Sequence, residues 1–284
     1  MTTAAAASPP PNRTATTENF PVGSWLLPAP LRPTVAVFYR LARAADDIAD
    51  SATLDAETKT ARLKAIDAAL VSGAAEGDAP ELAYALDLKR HFEERGLSVE
   101  HSRHLLQAFM ADAVNRPCRS WSDLLAYCRY SANPVGRFLL ELHGESRDTW
   151  PASDALCTSL QILNHLQDCK DDYAKLTRLY VPLDWLTQAG LTPRALLAAA
   201  ATPPLRAVLD RVLDGVDQLN QRAAALPRGV ANRGLRMESA VIVSVAQRLA
   251  AKLRRGDPIA GRVALSKWEK AGALIVGVAR GLRR

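Results

Sequence analysis

Three aspartates within five positions lie in the middle of an apolar helical run. In the segment RLARAADDIADS, Asp46 and Asp50 are four residues apart and Asp47 lies beside them. Carboxylates at this spacing share one helix face and repel each other. The flanking alanines, leucine and isoleucine are too apolar for an ordinary solvated surface. Because a divalent cation would neutralise this charge, the segment predicts a helix that faces a metal site.

A second polar stripe occurs in the segment LQILNHLQDCKDD. Its polar residues recur at intervals of three and four and therefore share one helix face. They are Gln161, Asn164, Asp168 and Asp172, with Asp171 at the border of the face. Each acidic segment alone is equally consistent with a solvated helix surface. Two such helices facing each other across a bundle would bring their carboxylates together as ligands for Mg²⁺, which favours a diphosphate substrate.

Two arginines support this interpretation. Arg43 precedes the first acidic cluster by one helical turn, and Arg178 follows the second cluster. A guanidinium group binds phosphate oxygens through two parallel hydrogen bonds. We therefore expect both side chains at the diphosphate end of the site.

The composition indicates an all-α fold. The 284 residues are 48% hydrophobic, glycine is sparse, alanine is abundant, and alternating β-branched segments are scarce. Apolar segments with helical spacing are separated by proline-containing or glycine-containing breaks. In the second half of the chain, helical patterns run over about 192–226, 232–255 and 262–282, after a loop with a short helix over 177–190.

Local signals predict where several helices begin or break. Pro33 stands where the first acidic helix can begin. A helix that starts at Ser120 or Ser122 is expected to kink or break just before Pro134, because proline lacks a backbone donor and restricts the residue before it. Ser153 is expected to cap a long helix that runs into the second acidic cluster.

The chain is predicted to form one catalytic domain over residues 18–284 after a tail over residues 1–17. The tail is rich in proline, threonine and small residues, without the pattern of a signal peptide, so we expect it to be disordered. The apolar run AGALIVGVA is far shorter than the roughly 20 residues that span a bilayer. The four cysteines show no C-x-x-C pairing and indicate a reducing compartment. We therefore expect a cytoplasmic protein.

The net charge of +6 and the pI near 9.3 suit an anionic partner. Nucleic acid is not expected, since the sequence has no recognisable nucleic-acid module and no basic stripe interleaved with aromatic residues. The C-terminal segment LSKWEKAGALIVGVARGLRR has an apolar middle between basic ends. It is interpreted either as a packing helix or as a surface helix that makes peripheral contact with the inner membrane.

Several segments together resemble one enzyme family. YRLARAADDIAD and QILNHLQDCKDDYAKLTRLYVP are similar to the two aspartate-rich signatures of the squalene and phytoene synthases, the head-to-head branch of the all-α isoprenoid synthases. YCRYSANPVGR resembles the middle motif of the family, and LRRGDPIAGRVALSKWEKAGAL resembles its C-terminal end. The resemblance covers nearly everything from about residue 18 onward. It implies a single helical bundle around a central active-site cavity.

The resemblance also implies roles for individual residues. The ligands of several Mg²⁺ ions would be Asp46, Asp47, Asp50, Asp168, Asp171 and Asp172. The diphosphate end of the cavity would be lined by Tyr39, Arg43, Gln161, Asn164, Arg178 and Tyr180, with Arg43 also assisting diphosphate departure. Tyr130 matches a tyrosine near the reacting carbons. Either Tyr130 or Asn133 is expected to place the water that ends the reaction.

The opening segment ENFPVGSWLLPAPLRP, together with ADDIAD, most resembles a bacterial hopanoid-pathway branch of the family. This resemblance implies Mg²⁺-dependent ionisation of presqualene diphosphate, rearrangement, capture of the cation by water and release of diphosphate. It implies no nicotinamide cofactor, and a neighbouring pathway enzyme is expected to receive the product. The nearest alternative is condensation of two farnesyl diphosphates to presqualene diphosphate, squalene or dehydrosqualene. An alternative of another class is a non-catalytic helical partner protein.

Overall fold

Helices and their connections make up residues 26–282, the range that the computed structural model describes, and this range contains no strand. The α-helices are α1 (Arg32–Asp50), α2 (Ala56–Ser72), α3 (Pro80–Glu93), α4 (Glu100–Ala113), α5 (Trp121–Ser131), α6 (Asn133–Leu142), α7 (Trp150–Leu176), α8 (Leu183–Gln188), α9 (Pro203–Ala223), α10 (Leu226–Gly229), α11 (Arg233–Arg255) and α12 (Lys267–Leu282). The predicted all-α fold is confirmed. The predicted tail and the start of the domain at residue 18 lie outside the described residues.

Helix α1 is held in place by its apolar face, which packs against α3 and α4. The buried residues of this face include Val35, Phe38, Leu41, Ala45 and Ile48. Phe38 stacks on Phe138 of α6 with ring centroids 4.1 Å apart, and Phe138 stacks on Phe92 of α3 at 5.4 Å. Stacked and buried aromatic rings bring large areas out of water. The polar face of α1 is thereby turned away from this core and toward the interior cavity.

Helix α7 runs through the bundle and packs against α5, α6, α9 and α11. Its side chains Ile162, Leu163 and Leu166 are almost fully buried. The prediction that Ser153 caps this helix is wrong. The helix begins at Trp150 with Pro151 in its first turn, where the missing backbone donor is not needed, and Ser153 is buried within it.

Prolines decide two of the helix boundaries. The predicted break before Pro134 is confirmed, since α5 ends at Ser131 and α6 begins at Asn133. The prediction of one continuous helix over 192–226 is wrong. A short 3₁₀ helix, Pro193–Leu197, is followed by a non-helical connection, and α9 begins only at Pro203. Two successive prolines at the start of α9 disfavour helical conformation in the preceding residue and supply no backbone donor to an upstream turn.

None of the helices in residues 26–282 is both long enough and apolar enough to cross a membrane. The longest helix, α7 with 27 residues, carries the second acidic cluster. The apolar C-terminal helix α12 has 16 residues, fewer than the roughly 20 that span a bilayer.

Candidate active site

A cavity of about 810 Å³ lies inside the bundle, between α1, α4, α5, α6, α7 and α11. Its volume is within the usual range of small-molecule sites. Along both α1 and α7, most of the apolar lining residues come first and most of the polar ones follow. Ser153 near the start of α7, and Glu238 and Ser239 of α11, are further polar lining residues. The C-terminal ends of these helices are adjacent, because Arg178, just after α7, contacts Asp50 at the end of α1. The cavity therefore has one polar end, with both acidic clusters, and one mostly apolar end, called the apolar end below.

Most of the residues predicted for the site are brought together at the polar end. The lining residues among them are Tyr39, Arg43, Asp46, Asp50, Gln161, Asn164, Asp168, Asp171, Asp172, Arg178 and Tyr180. Asp47 is outside the lining, although it lies beside the cavity and contacts Arg43. The helical spacing of the two acidic segments thus produces the facing arrangement that the sequence predicts.

Arginines compensate the charges of the α1 carboxylates. Arg43 donates from Nη1 to Asp46 Oδ2 at 2.7 Å and from Nη2 to Asp47 Oδ1 at 3.1 Å. Arg178 donates from Nη1 to Asp50, and from Nη2 to the Ala49 carbonyl oxygen at 3.1 Å. The Nε atoms of both arginines are buried and have no hydrogen-bond partner within residues 26–282. Each arginine therefore retains a donor that a diphosphate oxygen would satisfy.

The carboxylates of α7 differ in their exposure. Asp168 is buried, with its Oδ1 atom 3.3 Å from Arg262 Nη1. Asp171 lies at the rim, 67% exposed, and accepts a hydrogen bond from Lys175 Nζ at 2.9 Å. Deeper along the same stripe, Gln161 Nε2 lies 3.2 Å from His165 Nε2. Basic side chains thus contact the α7 carboxylates as well as those of α1.

The raised pKa values of Asp46 and Asp47 on α1 reflect burial first and the charge of Asp50 second. Burial and the neighbouring charge of Asp50 raise the pKa of Asp46 to about 7, despite the opposing effect of Arg43. Burial also raises the pKa of Asp47, again against Arg43. A cation bound here would relieve both the desolvation and the repulsion of the carboxylates.

The chemistry of the donors fits Mg²⁺, since carboxylate oxygens are its preferred protein ligands. Asp46, Asp50, Asp168 and Asp172 are the cavity residues that would hold it. Among the described residues, however, no three His, Cys, Asp or Glu side chains converge on one point as a complete metal site. Magnesium usually completes its octahedral coordination with water and substrate phosphates. The two acidic faces therefore suit ions that the diphosphate itself helps to bind.

A buried polar network that the sequence analysis missed adjoins the acidic end. Asp112 of α4 is 8% exposed and lines the cavity. It accepts hydrogen bonds from the hydroxyl groups of Tyr127, at 2.8 Å, and Tyr180, at 3.1 Å. The ring of His165 stacks on Tyr180 with a centroid separation of 3.5 Å. A lone carboxylate in the apolar segment LLQAFMADAV was the available signal for Asp112.

Burial raises the pKa of Asp112 to about 6, although Arg178 and the two tyrosine hydroxyls favour its charged form. Burial also raises the pKa values of Tyr127 and Tyr180 well above the ordinary value. At neutral pH this network is therefore a carboxylate held by two protonated tyrosines.

The structure places neither Tyr130 nor Asn133, the two residues predicted to position the water, in the lining of the cavity. Tyr130 is 37% exposed and packs its ring edge-on against His104, outside the cavity. Asn133 is buried, but its Oδ1 atom accepts a hydrogen bond from Thr158 at 2.9 Å and does not line the cavity. The rotation of α5 against its neighbours instead turns Tyr127 of the same motif inward.

Comparison with known proteins agrees with this geometry. A sequence profile of the squalene/phytoene synthase family matches residues 13–269. The chain is 40% identical over 252 residues to a hydroxysqualene synthase of Sinorhizobium fredii, covering 89% of this chain and 85% of that protein. It is 37% identical over 264 residues to a hydroxysqualene synthase of Zymomonas mobilis, covering 92% and 87%.

A solved structure also resembles this fold. The squalene synthase HpnC from Alicyclobacillus acidocaldarius superposes with a TM-score of 0.71 at 30% identity, covering 82% of this chain and 87% of that chain. The cavity inside the bundle, the two facing acidic helices and the match over most of the sequence lead to one conclusion. The chain belongs to the squalene/phytoene synthase family and is an enzyme of isoprenoid biosynthesis.

Proposed function

We propose that this protein is a hydroxysqualene synthase, which ionises presqualene diphosphate and captures the rearranged cation with water. The observation that carries this proposal is the cavity inside the bundle, with acidic and basic groups at one end and mostly apolar walls at the other. Such a cavity suits a substrate with a diphosphate head and two long prenyl chains. The relatives named hydroxysqualene synthase, 37% to 40% identical over most of the chain, favour this reaction over others of the family.

Binding of the head group would be shared by the arginines and the carboxylates. Arg43 and Arg178 would offer to the diphosphate oxygens part of their guanidinium forks and their Nε donors, which are without a partner among the described residues. When bound, Mg²⁺ ions would supply Lewis-acid stabilisation of the departing diphosphate. Asp46, Asp50, Asp168 and Asp172 would hold these ions. Because the two arginine side chains are largely buried and held by hydrogen bonds, they would stabilise the leaving group with little reorganisation.

The apolar end of the cavity would bury the prenyl chains and keep bulk water away from the cation. Its walls include Phe38, Leu139, Leu160, Leu226 and Ile242. A carbocation exposed to bulk water would be captured before it rearranged, so exclusion of water decides whether the rearranged product forms.

Placement of the capturing water is assigned to Tyr127 and Tyr180 rather than to Tyr130 or Asn133. Both inward tyrosines donate their hydroxyl protons to Asp112, which leaves the oxygen lone pairs as acceptors. A water that donates a hydrogen bond to such an oxygen turns its own lone pair toward the cavity. The network would therefore orient one water for attack on the cation and accept its proton afterwards through Asp112.

The first experiment is incubation of the purified protein with Mg²⁺, without a nicotinamide cofactor, separately with presqualene diphosphate and with farnesyl diphosphate. Mass spectrometry would identify the products. A C30 alcohol from presqualene diphosphate alone supports the proposal. Consumption of farnesyl diphosphate moves the assignment to a condensing synthase, and inertness toward both substrates supports the non-catalytic alternative.

The substitution Tyr127→Phe tests the water-placing network. We expect the share of alcohol among the C30 products to fall, with at most about a tenfold loss of substrate consumption, because the hydroxyl acts after ionisation. Tyr130→Phe is the matched control, since its ring lies outside the cavity. An unchanged product ratio in Tyr127→Phe would remove this residue from the role.

Metal binding is expected to weaken as the pH falls below about 7. The pKa of Asp46 is raised to about 7, so protons compete with the cation for this carboxylate below that pH. The apparent affinity for Mg²⁺ should then fall by up to about tenfold per pH unit and level off above pH 8. Isothermal titration of Mg²⁺ in the presence of inorganic pyrophosphate measures this. Asp46→Asn should bind Mg²⁺ more weakly, and its affinity should depend less on pH. Pyrophosphate is itself protonated in this range, but this effect cancels when the wild-type affinity is divided by the variant's affinity at each pH.

Cellular location and partners complete the proposal. A cytoplasmic enzyme that passes its product to a neighbouring pathway enzyme suits a substrate and product that partition into lipid. Presqualene diphosphate, as an isoprenoid diphosphate, would be the one anionic partner that the polar end of the cavity binds.

A further inference from the structure

The apolar end of the cavity contains three polar side chains. Ser153 of α7 and Glu238 and Ser239 of α11, here called the polar floor, belong to its lining. Their exposed fractions are 3%, 4% and 5%, so all three are buried. Ionisation of a prenyl diphosphate makes no use of a carboxyl group in a pocket for hydrocarbon. The polar floor therefore needs an explanation of its own.

Contacts of α11 place Glu238 far from the diphosphate site. At the start of α11, the backbone N–H of Asn232 donates to Glu145, in the connection before α7, at 2.7 Å. The segment after α11 reaches the second acidic cluster, since Gln167 Nε2 donates to the Val263 carbonyl oxygen at 2.6 Å. Helices α7 and α11 therefore run in the same direction. Glu238, in the second turn of α11, lies near the start of α7 and away from the acidic clusters.

The distance between the two ends of the cavity matches one length of prenyl chain. Ser153 and Asp168 are 15 positions apart on α7. At about 1.5 Å per residue, they are separated by roughly 22 Å along the helix. By ordinary bond lengths, an extended C15 prenyl diphosphate is roughly 20 Å long, and each further prenyl unit adds roughly 5 Å. A C20 chain whose diphosphate lies at the acidic clusters would therefore reach the polar floor.

Hydrocarbon that reached the polar floor would displace water from the carboxyl group of Glu238. A carboxylate has about four lone-pair sites, so one hydrogen bond from the protein leaves others that need a polar neighbour. Covering such a group with methyl groups is unfavourable, and more so when the group is ionised. The floor would therefore reject a longer chain by the cost of desolvation, without a steric clash.

Proton transfer is the other task that a buried carboxyl group could perform. A general acid or base must lie within hydrogen-bond reach of the reacting group, directly or through one water. The reacting carbons are attached to the departing diphosphate at the polar end of the cavity. Glu238 lies near the opposite end, so it is out of reach for this role.

We propose that the polar floor, and Glu238 above all, determines the length of the prenyl chains that the cavity accepts. Chains derived from C15 units would end before the floor, and chains derived from C20 units would be rejected. This inference rests on the proposed use of a prenyl diphosphate, but not on which reaction of the family follows.

The test measures release of diphosphate, in the presence of Mg²⁺, from presqualene diphosphate and from its homologue with two C20-derived chains. The wild type should prefer the shorter substrate in kcat/KM by at least about tenfold. Glu238→Leu keeps a similar size but removes the polar group. It should lower this preference by at least about tenfold, mainly through a higher kcat/KM for the longer substrate. Glu238→Gln, which remains polar, should lower it less, by about threefold.

The matched control is Glu81→Gln. Glu81 is also 4% exposed, but it pairs with Arg62, 2.6 Å away, and does not line the cavity. This variant should keep the chain-length preference of the wild type. Circular dichroism establishes that each variant is folded.

Three results would overturn the proposal. The first is equal kcat/KM for both homologues in the wild type. The second is an unchanged preference in folded Glu238→Leu, which would show that size and not polarity sets the limit. If Glu238→Leu does not fold, Glu238→Gln decides, and a preference equal to that of the wild type is the third.

The same design separates failure of the polar floor from failure of the proposed reaction. If the enzyme consumes farnesyl diphosphate instead of presqualene diphosphate, the ratio is taken between farnesyl and geranylgeranyl diphosphate. The product then identifies the reaction, and the ratio tests the floor. Inertness toward all four substrates would overturn both.

Discussion

Replacing Asp46 or Asp168 by asparagine is expected to lower kcat at least about a thousandfold while the protein remains folded. These two side chains lie on the facing helices α1 and α7 and line the polar end of the cavity. Asparagine keeps the shape of the carboxyl group but removes the charge that would hold Mg²⁺ and, with it, the diphosphate. We expect the fall in kcat to come from slower ionisation of the substrate and not from unfolding of the protein.

The stability of the Asp46→Asn variant separates these two causes. The pKa of Asp46 is higher in the folded protein, at about 7, than the ordinary value of 3.8. Between these two pH values the folded state binds more protons than the unfolded state, so stability falls as the pH rises through this window. Without metal, Asp46→Asn should therefore unfold at the same temperature as the wild type or a few degrees higher at pH 8.

Turnover of presqualene diphosphate and thermal unfolding by circular dichroism measure the two effects. Asp210→Asn is the matched control, since Asp210 pairs with Arg206 on α9, away from the cavity. It should retain kcat within about twofold, as surface substitutions away from special features usually do. Turnover of both cavity variants within tenfold of the wild type would contradict the assignment of the acidic faces to metal and diphosphate.

Replacing Arg178 by methionine is expected to lower kcat/KM about a hundredfold to a thousandfold and also to destabilise the fold. The guanidinium group is 9% exposed and holds both the Asp50 carboxylate and the Ala49 carbonyl oxygen. Removing one partner of a buried pair leaves the other charge without compensation. The same guanidinium group is placed to bind a diphosphate oxygen. Its removal should therefore impair both catalysis and stability.

The substitution Arg178→Lys distinguishes the loss of diphosphate binding from the loss of stability. Lysine restores the charge near Asp50 but not the planar pair of donors, so stability should recover more than kcat/KM. The pKa of Asp112 offers a second readout, because Arg178 lowers it and the methionine variant should raise it. Steady-state kinetics, thermal unfolding and the acid limb of the pH–rate profile follow these changes. A methionine variant with unchanged kcat/KM would exclude Arg178 from diphosphate binding.

The acidic half of the site was predictable because local spacing determines it. Residues three, four and seven positions apart share a helix face wherever the helix is placed, so Asp46 with Asp50, and Asp168 with Asp172, had to be neighbours. Their apolar flanks indicated that each face would be turned inward. Asp112 was missed because a lone carboxylate in an apolar helix has no partner in the sequence nearby. Its partners, Tyr127 and Tyr180, come from other parts of the chain.

The sequence by itself determined the all-α class, the break at Pro134, the two acidic faces and the apolar C-terminal segment, although it misplaced the starts of α7 and α9. Only the tertiary structure decided that Tyr127 rather than Tyr130 faces the cavity, and that α12 packs on α11 through Ala273, Gly277 and Gly281. The physical reason is the same in both cases. Helical periodicity fixes the angles between side chains on one helix, but the rotation of that helix against its neighbours depends on packing between segments distant in sequence.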